Sequence, residues 1–222
     1  MDIAFVSAPS ADAVRAAIAW EGGAMSAGAE TLATAVARAP RFTGGKGQTV
    51  DVLSGEGRVF VLGAGARDAF GAVEAETAGG QAFNAGKGTG AQTLAVDLRG
   101  LPGELAARAA FGAELASYRF DRYLTREKPE KKPSITRVEV VTEDAAGAEA
   151  AFTELRAIAE GVRFTRDLVS EPANILHPEE FARRVQALNV SGLEVEVLGE
   201  AQMTELGMGA LLGVGQGSRR ES

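Results

Sequence analysis

The sequence predicts a layered α/β domain joined by a long helix to a second α/β unit whose strand has no local partner. Three observations predict it. Short apolar or alternating runs recur at 3–6, 49–53, 59–62, 94–98 and 136–141, the lengths of strands. Segments with apolar residues three and four apart separate most of them. After residue 145 the chain carries several helical patterns but one alternating run. Taken in order, Ile3–Val6 is the first strand candidate, and Ala17–Trp20 is a short apolar run closed by Glu21-Gly22-Gly23. Residues 26–39 read as a helix, with Leu32 and Val36 four apart and Pro40 as its stop. Thr49–Leu53 and Val59–Leu62 flank Ser54-Gly55-Glu56-Gly57, a hairpin signal. A weaker helix spans 67–84, interrupted by Gly71, Gly79 and Gly80, and Leu94–Leu98 is a strand.

A stronger helix starts at Gly103, where Leu105, Ala109, Gly112, Ala116, Phe120 and Tyr123 form one apolar face. A charged, proline-punctuated loop covers 122–134, and Thr136, Val138 and Val140 then alternate with Arg137 and Glu139 as a strand. From Ala145, Phe152, Leu155, Ala159, Val162 and Val169 mark a long amphipathic helix. After the loop SEPANILHP, Pro178-Glu179-Glu180 opens another helix. Proline takes its first position, and carboxylates stand at the positive end of its dipole. Phe181, Val185 and Leu188 are its expected buried face. Leu193, Val195 and Val197 alternate with Glu194 and Glu196 as a half-buried strand, and 200–206 is a short helix. The second unit therefore reads as a domain cut off in mid-course, the alternative being that its apolar faces pack onto the first domain.

Composition narrows the chemistry. The 222 residues carry 23 Lys and Arg against 30 Asp and Glu, a net charge of −7 that does not suggest a nucleic-acid binder. There is no cysteine and one histidine, His177, so disulfides, thiol nucleophiles and Cys/His zinc sites are excluded. The N-terminus lacks the features of a secretory signal, and no apolar run reaches the ~18 residues of a membrane span.

Several motifs fail on inspection. VFVLGAG, residues 59–65, runs a strand into a Gly-x-Gly turn, but Asp68 stands where a dinucleotide fingerprint requires a third glycine. Gly86-Lys87-Gly88-Thr89 and Gly44-Gly45-Lys46-Gly47 each mimic a phosphate loop. Each lacks both the upstream glycine and the hydroxyl residue after lysine. Arg119, Arg122, Arg126, Lys128, Lys131 and Lys132 lie near Tyr118, Phe120 and Tyr123. That mixture could grip a nucleic acid, but Asp121, Glu127 and Glu130 dilute it, and a solvated loop is the simpler reading. His177 precedes Pro178 in the position of a helix cap and has no HExxH-type partner. Glu179 and Glu180 are explained by the helix dipole.

One segment is not explained by packing periodicity. RDLVSEPANILHPEEFA, residues 166–182, resembles the opening of the catalytic domain of the leucyl (cytosol) aminopeptidases, a family of two-metal exopeptidases. MGALLGVGQGS, residues 208–218, resembles that family's next block. FTGGKGQT, residues 42–49, and SYRFDRYLT, residues 117–125, resemble blocks of its N-terminal domain, in the same order. Ser170 stands where the family commonly has Asn, and His177 where Thr is common.

The resemblance implies three regions. Residues 1–144 form an N-terminal α/β domain of mixed sheet, similar to macro domains. Residues 145–170 form a linking helix. Residues 171–222 form the beginning of the catalytic domain, cut before its metal site. It implies a metal-dependent hydrolase that removes N-terminal residues from peptides, with two divalent ions, Mn or Zn, in the full-length family. It also implies a cytoplasmic homo-oligomer, a hexamer in the family, with no membrane or nucleic-acid partner expected. The family's metal ligands and catalytic residues lie in motifs beyond GVGQGS. No catalytic, cofactor-binding or metal residue therefore carries over to this chain, which alone is expected to be inactive and to bind no metal. Two other classes compete with this reading. One is a non-catalytic macro-like module binding a nucleotide or nucleic acid; the other is a domain that organises an oligomer.

Overall fold

The computed structural model describes residues 1–55, 57–188, 190 and 192–221; Glu56 of the expected hairpin turn lies outside them. The chain divides into two compact units, Met1–Arg163 and Phe164–Ser222.

The first unit is built on six strands: β1 (Asp2–Val6), β2 (Val14–Ala19), β3 (Thr49–Ser54), β4 (Gly57–Gly63), β5 (Thr93–Asp97) and β6 (Arg137–Val141). Their order across the sheet is β1-β6-β5-β2-β4-β3. Every pairing is parallel except the β3–β4 hairpin, so the sheet is mixed. The run at Ala17–Trp20 thus belongs to a central strand that starts earlier, at Val14. The strands between the edges are buried on both faces, which is why β2 reads as a continuous apolar run and not as an alternation.

Ile18, Leu62, Leu94, Val96, Val138 and Val140 belong to the main core. Helices α2 (Ala72–Gly86) and α3 (Gly103–Ala116) pack on it, as does the first part of α4 (Ala145–Ser170). Phe152 of α4 is fully buried, with its ring edge-on to Phe5 at 5.6 Å. The opposite face is thinner. Ala17, Ala19, Val59 and Val61 pack there against Leu32 and Val36. The helix expected over 26–39 shrinks to a 3₁₀ turn, Glu30–Leu32, and one α-helical turn, α1 (Ala33–Val36). The segment before it is spent on turns and on Ser26, whose side chain accepts the Ile18 amide at 3.3 Å.

Glycines in α2 and α3 permit a helix crossing at backbone distance. A Cβ on Gly79 would lie 1.8 Å from the Ala109 carbonyl oxygen, and one on Gly112 would lie 1.9 Å from that of Glu76. The glycine that made residues 67–84 look like a weak helix is what lets this helix pack. The apolar face expected for α3 is corrected in part. Ala109 and Gly112 are buried, but the helix ends at Ala116, so Phe120 and Tyr123 fall in the following loop. α4 is capped by Asp144, whose carboxylate accepts the Gly147 amide at 2.9 Å. Within the first unit, Arg163 on α4 reaches the buried carboxylate of Glu114 on α3.

The second unit holds the end of α4, then α5 (Pro178–Gln186), α6 (Glu200–Glu205) and α7 (Gly209–Gly215). Two expectations fail there. Residues 193–197 form no strand: a strand needs a neighbour for its backbone groups, and the six-stranded sheet does not include this segment. Phe181 is 47% exposed and α5 has no buried residue. Val169, expected on the buried face of α4, is 82% exposed.

Candidate functional site

Ligands of open α/β sheets bind outside the C-terminal strand ends, where neighbouring connections leave toward opposite faces. In the first unit that point lies between β2, which leads to α1, and β5, which leads to α3. An internal ion pair fills it. Arg99 donates from Nε to Asp97 Oδ1 at 2.9 Å and from its terminal nitrogen to Oδ2. The guanidinium lies where a Cβ on Gly28 would fall, 2.2 Å away. The Asp97 hydrogen bond raises the Arg99 pKa despite burial, and Glu30 and Glu143 add to it. An incoming phosphate would meet Asp97, Glu30 and Glu143 around one committed arginine, so the crevice is not an anion cradle.

The glycine motifs are structural. A Cβ on Gly63 would lie 2.1 Å from the Gly45 carbonyl oxygen, so the 44–47 loop packs directly on the end of β4. The amides of Gly63, Ala64 and Gly65 donate to Gln48 (2.8 Å), Ala19 (3.0 Å) and Gly44 (2.8 Å), leaving none to hold a phosphate. Lys46 pairs with Glu74 at 2.7 Å. With the Gly71 amide, it draws that carboxyl down to about 2. Gly86-Lys87-Gly88-Thr89 sits at the C-terminal end of α2, where the dipole repels anions, and Lys87 donates to Asn84 at 2.7 Å.

Part of the basic loop also satisfies itself, through Arg119 and Arg122. Arg119 pairs with Glu127 and lies 3.7 Å from Asp121. Arg119 lowers the Glu127 pKa first, helped by Lys132 and Lys131. Arg122 sits over the Phe120 ring at 5.7 Å, and that ring meets Tyr123 edge-on at 5.8 Å.

In the second unit, the segment after α4 turns through Pro172, whose carbonyl accepts the amides of Ile175 and Leu176, both at 2.9 Å. His177 takes the extended conformation of a helix cap, but its side chain makes no capping bond. Its Nε2 lies 2.9 Å from the Arg220 guanidinium, so the ring nitrogen accepts there. Glu180 accepts Arg183 and Arg184, each at 2.7 Å, and these hydrogen bonds hold its carboxyl at about 2. Arg184 also donates to Glu171 at 2.7 Å, and the Glu171 side chain is fully buried. Glu171 is the residue the sequence did not reveal. Its partner lies 13 positions away, a spacing that belongs to no secondary-structure period.

Among the described residues, no three His, Asp or Glu side chains come together as metal ligands. Glu74, Glu127, Glu171 and Glu180 each answer an arginine or lysine. The described side chains therefore do not fit a two-metal centre.

Comparison with known proteins agrees with the block pattern. The description "Cytosol aminopeptidase family, N-terminal domain" matches residues 12–127, and "Cytosol aminopeptidase family, catalytic domain" matches residues 163–222. A "Probable cytosol aminopeptidase" of Caulobacter vibrioides is 52% identical over 226 residues, covering 96% of this chain and 45% of that relative. The bottromycin maturation enzyme BotP, solved in complex with Mn, is 32% identical with a TM-score of 0.71, over 96% of this chain and 44% of that one. A tomato leucine aminopeptidase mutant, 23% identical, shares the fold with a TM-score of 0.79 over 100% of this chain and 49% of its own. The chain thus spans about half the length of the curated relatives it matches.

Proposed function

The chain belongs to the cytosol aminopeptidase family, and from that premise we propose that it is the N-terminal domain, linking helix and catalytic-domain opening of a metal-dependent leucyl aminopeptidase. The observation that carries the reading is the order of the two matches, with the N-terminal description at 12–127 followed by the catalytic one at 163–222. The regions proposed are a macro-like domain over 1–144, a linker over 145–170 and the start of the catalytic domain from 171. The whole protein would remove N-terminal residues from peptides, with divalent ions polarising the scissile carbonyl and activating water. BotP with Mn supports a metal of that class. The family name supports a cytoplasmic place, and a hexameric assembly belongs to the same proposal.

Two ions held about 3.5–4 Å apart need several converging carboxylates, and the described side chains supply none. The 222-residue chain alone is therefore expected not to hydrolyse leucine anilides, with or without Mn²⁺ or Zn²⁺. The test is an anilide assay alongside titration calorimetry with Mn²⁺. Stoichiometric binding of two ions with metal-dependent turnover would overturn the placement of the catalytic machinery outside these residues.

A further inference from the structure

We infer that two copies of this chain dock reciprocally through their first units, the basic loop of each (residues 122–134) entering an acidic groove between α3 and α4 of the other. Both surfaces lie on the first unit, and neither depends on the family reading. The groove encloses about 500 Å³. Glu104 on α3, Asp144 at the cap of α4 and Glu154 on α4 give it carboxylates, and Ala151, Leu155 and Ile158 give it apolar surface. Asp144 is committed to the Gly147 amide. Glu104 and Glu154 are exposed, and among the described residues their carboxylates have no hydrogen bond or ion pair. The groove's arginine, Arg108, is already paired with Glu76 at 3.0 Å. Uncompensated negative charge therefore stands beside exposed apolar surface, which suits a ligand that carries cations next to an aliphatic or aromatic side chain.

The chain bears such a ligand itself. Tyr123 and Leu124 are 47% and 52% exposed. Arg126 and Lys128 follow, exposed and with no side-chain partner among the described residues. The loop around them is already shaped, by the Arg119–Glu127 pair and by the 3₁₀ turn Pro129–Lys131, so little ordering is left to pay on docking. The same ties keep it from its own groove. From Glu104 to Ala116, where α3 ends, the helix rises about 18 Å. The loop leaves that far end and is fastened there, with the Ser134 amide donating to the Lys87 carbonyl at 2.8 Å. A two-fold axis that sets the α3–α4 faces of two copies antiparallel brings each loop to the other's groove. The contact is then made twice and closes on itself. Exposed ion pairs contribute little alone, so apolar contact of Leu124 with Leu155 and Ile158 supplies the affinity and the charges set the register.

The test is light scattering of the 222-residue chain across concentrations. A dimer is expected in about 0.05 M salt, with its Kd weakened at least tenfold in about 0.5 M. Glu104→Lys with Glu154→Lys, or Arg126→Glu with Lys128→Glu, should each weaken it at least tenfold. An equimolar mixture of the two double variants should restore it, because each contact in the mixed pair again joins opposite charges. A chain that stays monomeric, or a dimer indifferent to either double variant, would overturn the inference. So would a mixture that fails to pair while both variants keep wild-type amide exchange in β2, β4 and β5. Should a charge reversal unfold the chain, carbodiimide cross-linking of mixed light- and heavy-isotope wild-type chains decides. Links from Lys128 to Glu104 or Glu154 between differently labelled copies support the inference, and their absence overturns it.

Discussion

Residues 1–163 and 164–221 carry apolar patterns of the same kind and bury them very differently. In the first unit, two clusters cover the faces of the sheet. In the second, Met203 is the only buried hydrophobic side chain among the described residues. Yet both units form helices. A helix satisfies its own backbone, and local devices hold its ends: proline at the first position of α5, Gly199 ahead of α6. A strand has no such independence. The alternation at 193–197 is as clean as that at 136–141, but only the latter lies between two neighbours, β1 and β5. The difference between the regions is therefore one of partners and not of local propensity.

Amide exchange should show the largest contrast. The inner strands β6, β5, β2 and β4, paired on both sides, should exchange near the global unfolding limit, and residues 193–199 near the rate of an open chain. Equal, global-level protection across 171–221 would break the comparison.

The second contrast lies along one helix. Phe152 and Val169 belong to the same sequence pattern of α4, but the first is fully buried and the second 82% exposed. Phe152→Ala should cost about 3–5 kcal/mol in urea unfolding of the first unit. Val169→Ala should stay within about 0.5 kcal/mol. Similar losses at both sites would mean that Val169 is packed in solution.

That helix also shows how far the sequence could be read. Its periodicity was legible because turns of 3.6 residues repeat regardless of what covers them. The family blocks were legible because they are local strings. Three things were not. The end of α3 before Phe120 depends on where the chain leaves the sheet, which no spacing records. The Glu171–Arg184 pair joins a loop to a helix across 13 residues. The Asp97–Arg99 closure of the crevice needs Gly28 to pass beneath the guanidinium, a contact between distant segments.

A third prediction sharpens the account of the first unit. Gly79→Ala places a Cβ 1.8 Å from the Ala109 carbonyl oxygen, and backbone cannot step aside as a flexible side chain can. Overpacking of this kind costs about 1–3 kcal/mol, opposite in sign to the gain alanine brings to an ordinary helix interior. Gly161→Ala is the control, since nothing lies within 4 Å of its added Cβ. If both variants stabilise, the α2–α3 crossing is looser than described.

The smallest effect compares one carboxylate from each unit. Glu74, beside Lys46 and the Gly71 amide, and Glu180, beside Arg183 and Arg184, are both held at about 2. An unfolded glutamate titrates near ~4.3, so each group binds protons less readily in the folded state. Its stabilising contribution is therefore complete above the unfolded value and disappears as pH falls from about 4.3 toward 2. Both side chains remain about one-fifth exposed, and solvent screening keeps the energetic effect small, so the titration is better followed by carboxyl carbon NMR than by stability. Both signals should shift near 2. Glu74 sits at the start of α2, a helix whose Ala75, Ala78, Ala82 and Phe83 are buried, whereas Glu180 rests on a helix with no buried residue. A Glu180 midpoint at the ordinary glutamate value, with Glu74 still low, would show that α5 does not hold its arginines in place. The Arg184 pairs with Glu171 and Glu180 would then not persist in solution.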